Sequence, residues 1–183
     1  MLTPIWQDSY IKAYRFAAQA HNGQTVPDTD IPYLMHLSLV SMEVMASFIA
    51  EPGRDAALAV QCALLHDVIE DTAATYGQVL DAFGLSVANG VLALTKDGAL
   101  PTKQEQMADS LCRIKEQPHE VWLVKLADRI TNLQPPPSYW TVEKRKKYQT
   151  EAVTILDVLG EASEYLAERL RGKIIAYEGH LQL

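Results

Sequence analysis

The sequence is short of everything that marks a secreted, membrane-spanning or nucleic-acid-binding chain. Its two cysteines, Cys62 and Cys112, are isolated, with neither CxxC spacing nor a disulfide framework. Both are expected to be buried, reduced thiols of a cytoplasmic protein. No segment approaches the roughly 20 consecutive apolar residues that cross a bilayer. The opening Met1-Leu2-Thr3-Pro4-Ile5-Trp6-Gln7-Asp8 lacks the basic start and apolar run of a secretory leader. Cations are outnumbered, 16 Lys and Arg against 23 Asp and Glu, for a formal net charge of −7. A non-specific nucleic-acid binder neutralises phosphates with Lys and Arg, so nucleic acid is not an expected partner, and neither is a membrane. The same charge says little against a small anionic ligand, because a metal and a local basic cluster can reverse the sign inside one cleft.

Clean strand alternation is missing too; what is present is a helical period. Hydrophobic residues make up 48% of the chain and charged residues 21%, a balance that permits a packed core and argues against disorder. The length suits one domain, residues 1–183, and not two comfortable ones. The expected fold class is all-α, a single compact bundle of about eight to ten helices. Asp8 or Ser9 caps a first helix whose Ile11, Tyr14, Phe16, Ala17 and Ala20 form an apolar stripe. Others are expected from about Leu34 to Phe48, Asp55 to Ile69, Thr72 or Thr75 to Phe83, and Ser86 to Thr95. Four more run from about Lys103 to Lys115, from beyond Pro118 to Leu133, from Thr141 to Leu159 and from Ser163 to Tyr177. The third, Ala-rich and apolar nearly all round, should be the central helix. Pro135-Pro136-Pro137 is a rigid break within the domain.

The informative stretch is Leu64-Leu65-His66-Asp67-Val68-Ile69-Glu70-Asp71-Thr72. At about 100° per helical residue, His66 and Glu70 stack on one face and Asp67 and Asp71 on the adjacent strip. An ionised carboxylate on an otherwise apolar helix is costly unless paired or metal-bound. Glu70 and Asp71 would also sit at a helix C-terminus, where the macrodipole disfavours negative charge. Two further segments add to this set. Pro32-Tyr33-Leu34-Met35-His36 places a histidine at a helix start, and Lys125-Leu126-Ala127-Asp128-Arg129 places an aspartate in an apolar run. Two imidazoles and two carboxylates from three helices suit Mn²⁺, Fe²⁺ or Zn²⁺, and no thiolate stands near to argue for a structural zinc. Lys125, Arg129 and Asn132 on the turns around Asp128 suit phosphate and sugar oxygens. In the basic run Lys144-Arg145-Lys146-Lys147, Lys144 shares a side with Trp140 and Tyr148 by helical spacing.

These motifs resemble the HD superfamily, and more closely the hydrolase domain of Rel/SpoT-type alarmone enzymes and the small alarmone hydrolases. The matching stretches are AHNGQ (20–24), IPYLMH (31–36), ALLHDVIEDT (63–72), FG (83–84), LTK (94–96), VKLADRITNL (124–133) and YWTVEKRKKY (139–148). The resemblance implies an HD-type bundle and a metal, normally Mn²⁺, on His36, His66, Asp67 and Asp128, with Glu70 and Asp71 managing the attacking water. It implies removal of pyrophosphate from the 3′ position of a nucleotide, leaving a nucleoside 5′-polyphosphate. Asn132 should touch the ribose, and Trp140, Lys144 and Tyr148 should lie near the nucleotide.

One departure stands out. The family loop after AHxGQ usually carries an Arg-Lys pair that helps hold the nucleotide, whereas here Gln24-Thr25-Val26-Pro27-Asp28 follows and no cation appears before Arg54. Losing an arginine face removes stacking energy of roughly 0.5–2 kcal/mol, so base recognition should differ, with adenosine alarmones (ppApp) preferred over guanosine ones (ppGpp). Two alternatives remain beside this reading: an HD nucleotidase acting on a 5′-phosphate, and a nucleotide-binding regulator whose hydrolase site is spent. Oligomeric state is not legible, because apolar stripes do not separate core from subunit interface.

Overall fold

The computed structural model describes residues 6–181; the Met1–Ile5 part of the opening stretch lies outside them. The described residues form ten α-helices and no strand: α1 (Trp6–Ala20), α2 (Leu34–Ala50), α3 (Ala56–Leu65), α4 (Val68–Asp71), α5 (Tyr76–Phe83), α6 (Leu85–Leu94), α7 (Lys103–Lys115), α8 (His119–Asn132), α9 (Val142–Leu159) and α10 (Glu164–Tyr177). Short 3₁₀ turns follow the last two, at Gly160–Ala162 and Glu178–His180. Among the described residues no helix is long and apolar enough to cross a membrane.

Polar caps open five of the ten helices. Asp55 accepts from the Leu58 amide at 3.0 Å to open α3, and Ser163 accepts from the Leu166 amide at 3.1 Å to open α10. Thr75 with Gln78, and Thr102 with Glu105, close reciprocal capping boxes at α5 and α7. The first helix departs from expectation. It already includes Trp6, ahead of the expected Asp8 or Ser9 cap, and Ile11 is exposed; the rest of the expected stripe faces inward, with Ala17 buried beside Ala13 and Tyr14, Phe16 and Ala20 packed against the core.

Two helices make the middle of the bundle. α3 packs on α1, α2, α6 and α8, and α8 packs on α2, α3, α9 and α10. Leu58 to Val60 and Cys62 to Leu65 are buried, as the all-round apolar pattern of α3 required, and every residue from Val121 to Thr131 of α8 is buried. Gly90 lets α6 approach both: a Cβ there would lie 2.9 Å from Cys62 Sγ and from Val121 Cγ2. Burial pushes the Cys62 thiol up to about 12. Cys112, expected to be buried, is exposed on α7. Its period places it opposite Leu111 and Ile114, the residues α7 buries, so this cysteine belongs to the polar side.

The largest difference lies in the third helix. Periodicity runs from Asp55 to Ile69, but α3 stops at Leu65, His66 and Asp67 form a turn, and Val68–Asp71 makes a single separate turn of helix. Asp67 sits at φ −102°, ψ −1°, the sparsely populated bridge region. No proline or glycine marks the break. Glu70 and Asp71 therefore do not oppose the summed dipole of a long helix, and that argument for their oddity falls.

Candidate metal centre and cleft

Three chain segments converge on one point. The first turn of α2 brings His36, the turn between α3 and α4 brings His66 and Asp67, and the middle of α8 brings Asp128. His36 Nε2 lies 3.7 Å from Asp67 Oδ2 and 3.5 Å from Asp128 Oδ1; His66 Nε2 lies 2.8 Å and 3.8 Å from the same two atoms. Bonds of about 2.0–2.2 Å to one central ion imply ligand–ligand edges of roughly 3–3.6 Å, and these four distances bracket that range. His36, His66 and Asp67 present donor atoms all within 4.8 Å of one another. Asp128 reaches both imidazoles but stands outside that mutual set, its carboxylate drawn to Lys125 Nζ at 3.1 Å and Asn132 Nδ2 at 2.5 Å.

The donor chemistry fits a divalent ion. His66 Nδ1 lies 2.8 Å from the Ala63 carbonyl, which only accepts, so Nδ1 carries a proton and Nε2 points inward. That Nε2 is buried and has no hydrogen-bond partner, although Asp67 Oδ2 is close. Without metal the cluster must hold a proton instead. Burial opposes the charge on His66, but Asp67 and Asp128 prevail and raise it to about 9. Burial alone would raise both carboxyls. His66 holds Asp67 far below the usual carboxylate range, and Lys125, with both imidazoles, does the same for Asp128. A cluster so arranged presents two ionised oxygens and two imidazoles to a cation.

Around this floor the other expected residues divide. Glu70 is fixed by Lys96, whose backbone amide donates to Oε2 at 2.9 Å and whose ammonium donates to Oε1 at 3.0 Å. Asp71 is exposed at the edge of the site near Asp67 and Glu70; partial desolvation and those two charges raise its pKa. A cleft of about 270 Å³ opens beside Asp128, lined by Lys96, Lys103, Met107, Lys125, Asp128, Arg129, Asn132, Tyr148 and Glu151. Four cations and two carboxylates in that lining make it locally positive in an acidic protein. Arg129 is buried under Tyr148, its guanidinium 4.3 Å from the ring centre and 3.4 Å from Glu151 Oε2. Trp140 and Tyr148 meet edge to face at 5.1 Å, and Lys144 Nζ sits 4.2 Å from the Trp140 ring centre. Tyr148 thus lines the cleft, whereas Trp140 and Lys144 form its outer flank. Asn132, expected at a ribose, donates to Asp128 instead.

Sequence reasoning missed several members of this constellation. Lys96 lay in the LTK stretch and Tyr33 in IPYLMH without a role, and Lys103 carried no signal. Tyr33 donates its hydroxyl to Asp67 Oδ2 at 2.5 Å, and its pKa is driven far up by burial and that carboxylate. Both contacts depend on loops meeting across the bundle, which spacing along one helix does not show.

A helical bundle with His and Asp donors from three segments around one buried point defines the class of HD-domain proteins. The HD-domain family model matches residues 13–163, and the chain belongs to that family. Within it, the chain is 30% identical to the zebrafish guanosine-3′,5′-bis(diphosphate) 3′-pyrophosphohydrolase MESH1, over 88% of this chain and 89% of that one. It is 35% identical to the Aquifex aeolicus guanosine-3′,5′-bis(diphosphate) 3′-pyrophosphohydrolase over 79% of this chain, but spans only 20% of that relative. The solved structure of a metazoan ortholog of SpoT that hydrolyses ppGpp superposes with a TM-score of 0.80 at 29% identity, covering 99% of this chain and all of that one.

Proposed function

We propose that this protein is a divalent-metal-dependent 3′-pyrophosphohydrolase of alarmone nucleotides, in which water attacks the 3′-attached phosphorus and the products are a nucleoside 5′-diphosphate and pyrophosphate. The observation that carries the reading is the His36–His66–Asp67–Asp128 cluster, with the buried His66 Nε2 aimed at its carboxylates, beside a positive cleft. The chain is a hydrolase, the class its relatives share. Mn²⁺ suits the mixed nitrogen and oxygen donors; when bound it would acidify a water and polarise a phosphoryl oxygen.

The chain's own groups supply the rest. Asp71 holds a proton more readily than an ordinary carboxyl, so it accepts the proton of the attacking water. Glu70, clamped by Lys96, orients that water from a fixed position. Lys103 and Lys125 offer charge to the phosphates, and Arg129 holds Tyr148 as one wall of the cleft. Asn132 reaches the ribose by exchanging its bond to Asp128 for one to a hydroxyl.

The missing loop cations support a preference for adenosine over guanosine alarmones. Incubating the metal-stripped protein with ppGpp and ppApp, with and without Mn²⁺, tests both levels by anion-exchange chromatography of the products. Manganese-dependent pyrophosphate release supports the reaction, and a strong kcat/KM preference for ppGpp refutes the base preference. Release of phosphate from the 5′ side overturns the reading in favour of a nucleotidase.

A further inference from the structure

The loop after α1 touches the site from a direction that no role above uses. His21 is buried, and Gln24 spans from it to the opposite wall: Gln24 Nε2 donates to the Asp71 carbonyl at 2.7 Å, and Gln24 Oε1 lies 2.7 Å from His21 Nδ1. The chemistry fixes both orientations. A backbone carbonyl only accepts, so the amide nitrogen faces Asp71; the amide oxygen must then accept from His21, which puts a proton on Nδ1. The His21 ring stacks on Tyr33 at 5.0 Å, and Tyr33 grips Asp67. One loop therefore holds both ends of the catalytic turn, Asp67 by its carboxylate and Asp71 by its backbone.

The turn needs such a hold. A helix of one turn has no rigidity of its own, because the cost of nucleation is not recovered by propagation. α4 has four residues, and its Asp71 amide bonds only back to the Asp67 carbonyl at 2.8 Å. The metal-ligand end is fixed from α2, α3 and α8; at the other end Lys96 holds the Glu70 side chain and Thr72 bonds back to the Val68 carbonyl, and Gln24 is the side chain that reaches the Asp71 backbone from outside the turn.

We propose that His21 and Gln24 form a positioning brace that sets where Asp71 stands over the metal centre, independently of Tyr33, which sets Asp67. This rests on the reading of Asp71 as the group that handles the attacking water. The two arms then have different signatures. Gln24→Ala lowers kcat by about 10–100-fold, the cost of a displacement on the order of 1 Å, while KM and Mn²⁺ affinity change by less than about threefold. Tyr33→Phe acts chiefly on Mn²⁺ affinity, by roughly 10–100-fold, as the loss of a ligand's hydrogen-bond partner does. His21→Phe keeps a ring against Tyr33 but loses the donor, and matches Gln24→Ala. His21→Asn returns an N–H near the Nδ1 position and restores most of the rate. The double variant His21→Phe/Gln24→Ala is no slower than Gln24→Ala, because both remove one unit.

The test measures these kinetics on the Mn²⁺-loaded protein, together with amide hydrogen exchange over residues 68–74. Faster exchange in Gln24→Ala with metal still bound, and the kcat loss rescued only by His21→Asn in the histidine series, supports the brace. Wild-type protein that turns over neither alarmone refutes the substrate reading alone. Exchange over 68–74 that Gln24→Ala leaves unchanged overturns the brace whatever the substrate, as does an unchanged kcat or a loss of Mn²⁺ affinity parallel to that of kcat.

Discussion

The floor of the site and its mouth carry the same side chains under opposite electrical conditions. On the floor, Asp128 is buried and Asp67 largely so, yet His66, His36 and Lys125 keep them ionised far below the usual carboxylate range. At the mouth, Asp71 is exposed, yet its neighbours are Asp67 and Glu70, and its pKa rises. Desolvation raises all three; the sign of the neighbouring charge decides the outcome. An oxygen that never protonates suits a metal ligand, and one that protonates readily suits proton transfer. Glu70 stands between the two regimes, held by the backbone and ammonium of Lys96.

Removing one oxygen from the floor breaks the comparison most severely. Asp67→Ala leaves His36 and His66 without the carboxylate oxygen they share, so bound Mn²⁺ and pyrophosphate release should both fall to background, read by metal analysis and product chromatography on the same sample. Turnover retained in this variant would put the metal elsewhere. A change at the mouth should separate the two regimes. Asp71→Asn keeps shape and metal but cannot accept a proton, so kcat should fall by about 10²–10⁴ with Mn²⁺ content unchanged. Loss of metal along with rate would make Asp71 part of the floor.

How much of this was legible depended on whether a residue acts along its own helix or across the bundle. His36, His66, Asp67 and Asp128 announced themselves as polar side chains in apolar helical runs, and the structure brings them together. α3 was readable as the central helix from its all-round apolar pattern, whereas α8, which is buried too, was read only as an apolar run. The turn at His66–Asp67 was not legible, because apolar spacing continues through it to Ile69 and no proline or glycine interrupts it. Lys96, Tyr33 and Gln24 act on partners 26 to 47 positions away, and no periodicity reports such pairings. Arg129 and Asn132 were read as ligand-facing from their turns on α8, and the structure shows them engaged with Tyr148, Glu151 and Asp128.

The raised pKa of Asp71 also predicts a stability effect in the metal-free protein. A carboxyl whose folded pKa exceeds its unfolded value contributes stability fully at pH below the unfolded value, and this is lost as pH rises through the folded one. Metal-free Asp71→Asn should therefore melt higher than metal-free wild type at neutral pH. The difference should close as pH falls below the ordinary carboxylate range, and shrink when Mn²⁺ is added and neutralises Asp67. Thermal melts from pH 3 to 8 with and without metal measure it; a variant less stable than wild type at neutral pH would place a favourable partner on Asp71.

The smallest effect belongs to the outer flank. Lys144 is exposed and rests on Trp140, with Tyr139 also near at 5.7 Å, rather than lining the cleft. A cation over an exposed aromatic ring contributes about 0.5–1 kcal/mol, so its removal corresponds to about two- to fivefold. Lys144→Ala should raise KM for the nucleotide by that factor with kcat unchanged, through loosening of the Trp140–Tyr148 contact that backs the cleft wall. Tryptophan fluorescence should shift in the same variant before any nucleotide is added. A much larger rise in KM would mean that Lys144 leaves Trp140 and touches the phosphates directly, and raising the salt concentration distinguishes the two. A phosphate contact by an exposed lysine weakens steeply with ionic strength, whereas a wall held by stacked rings does not.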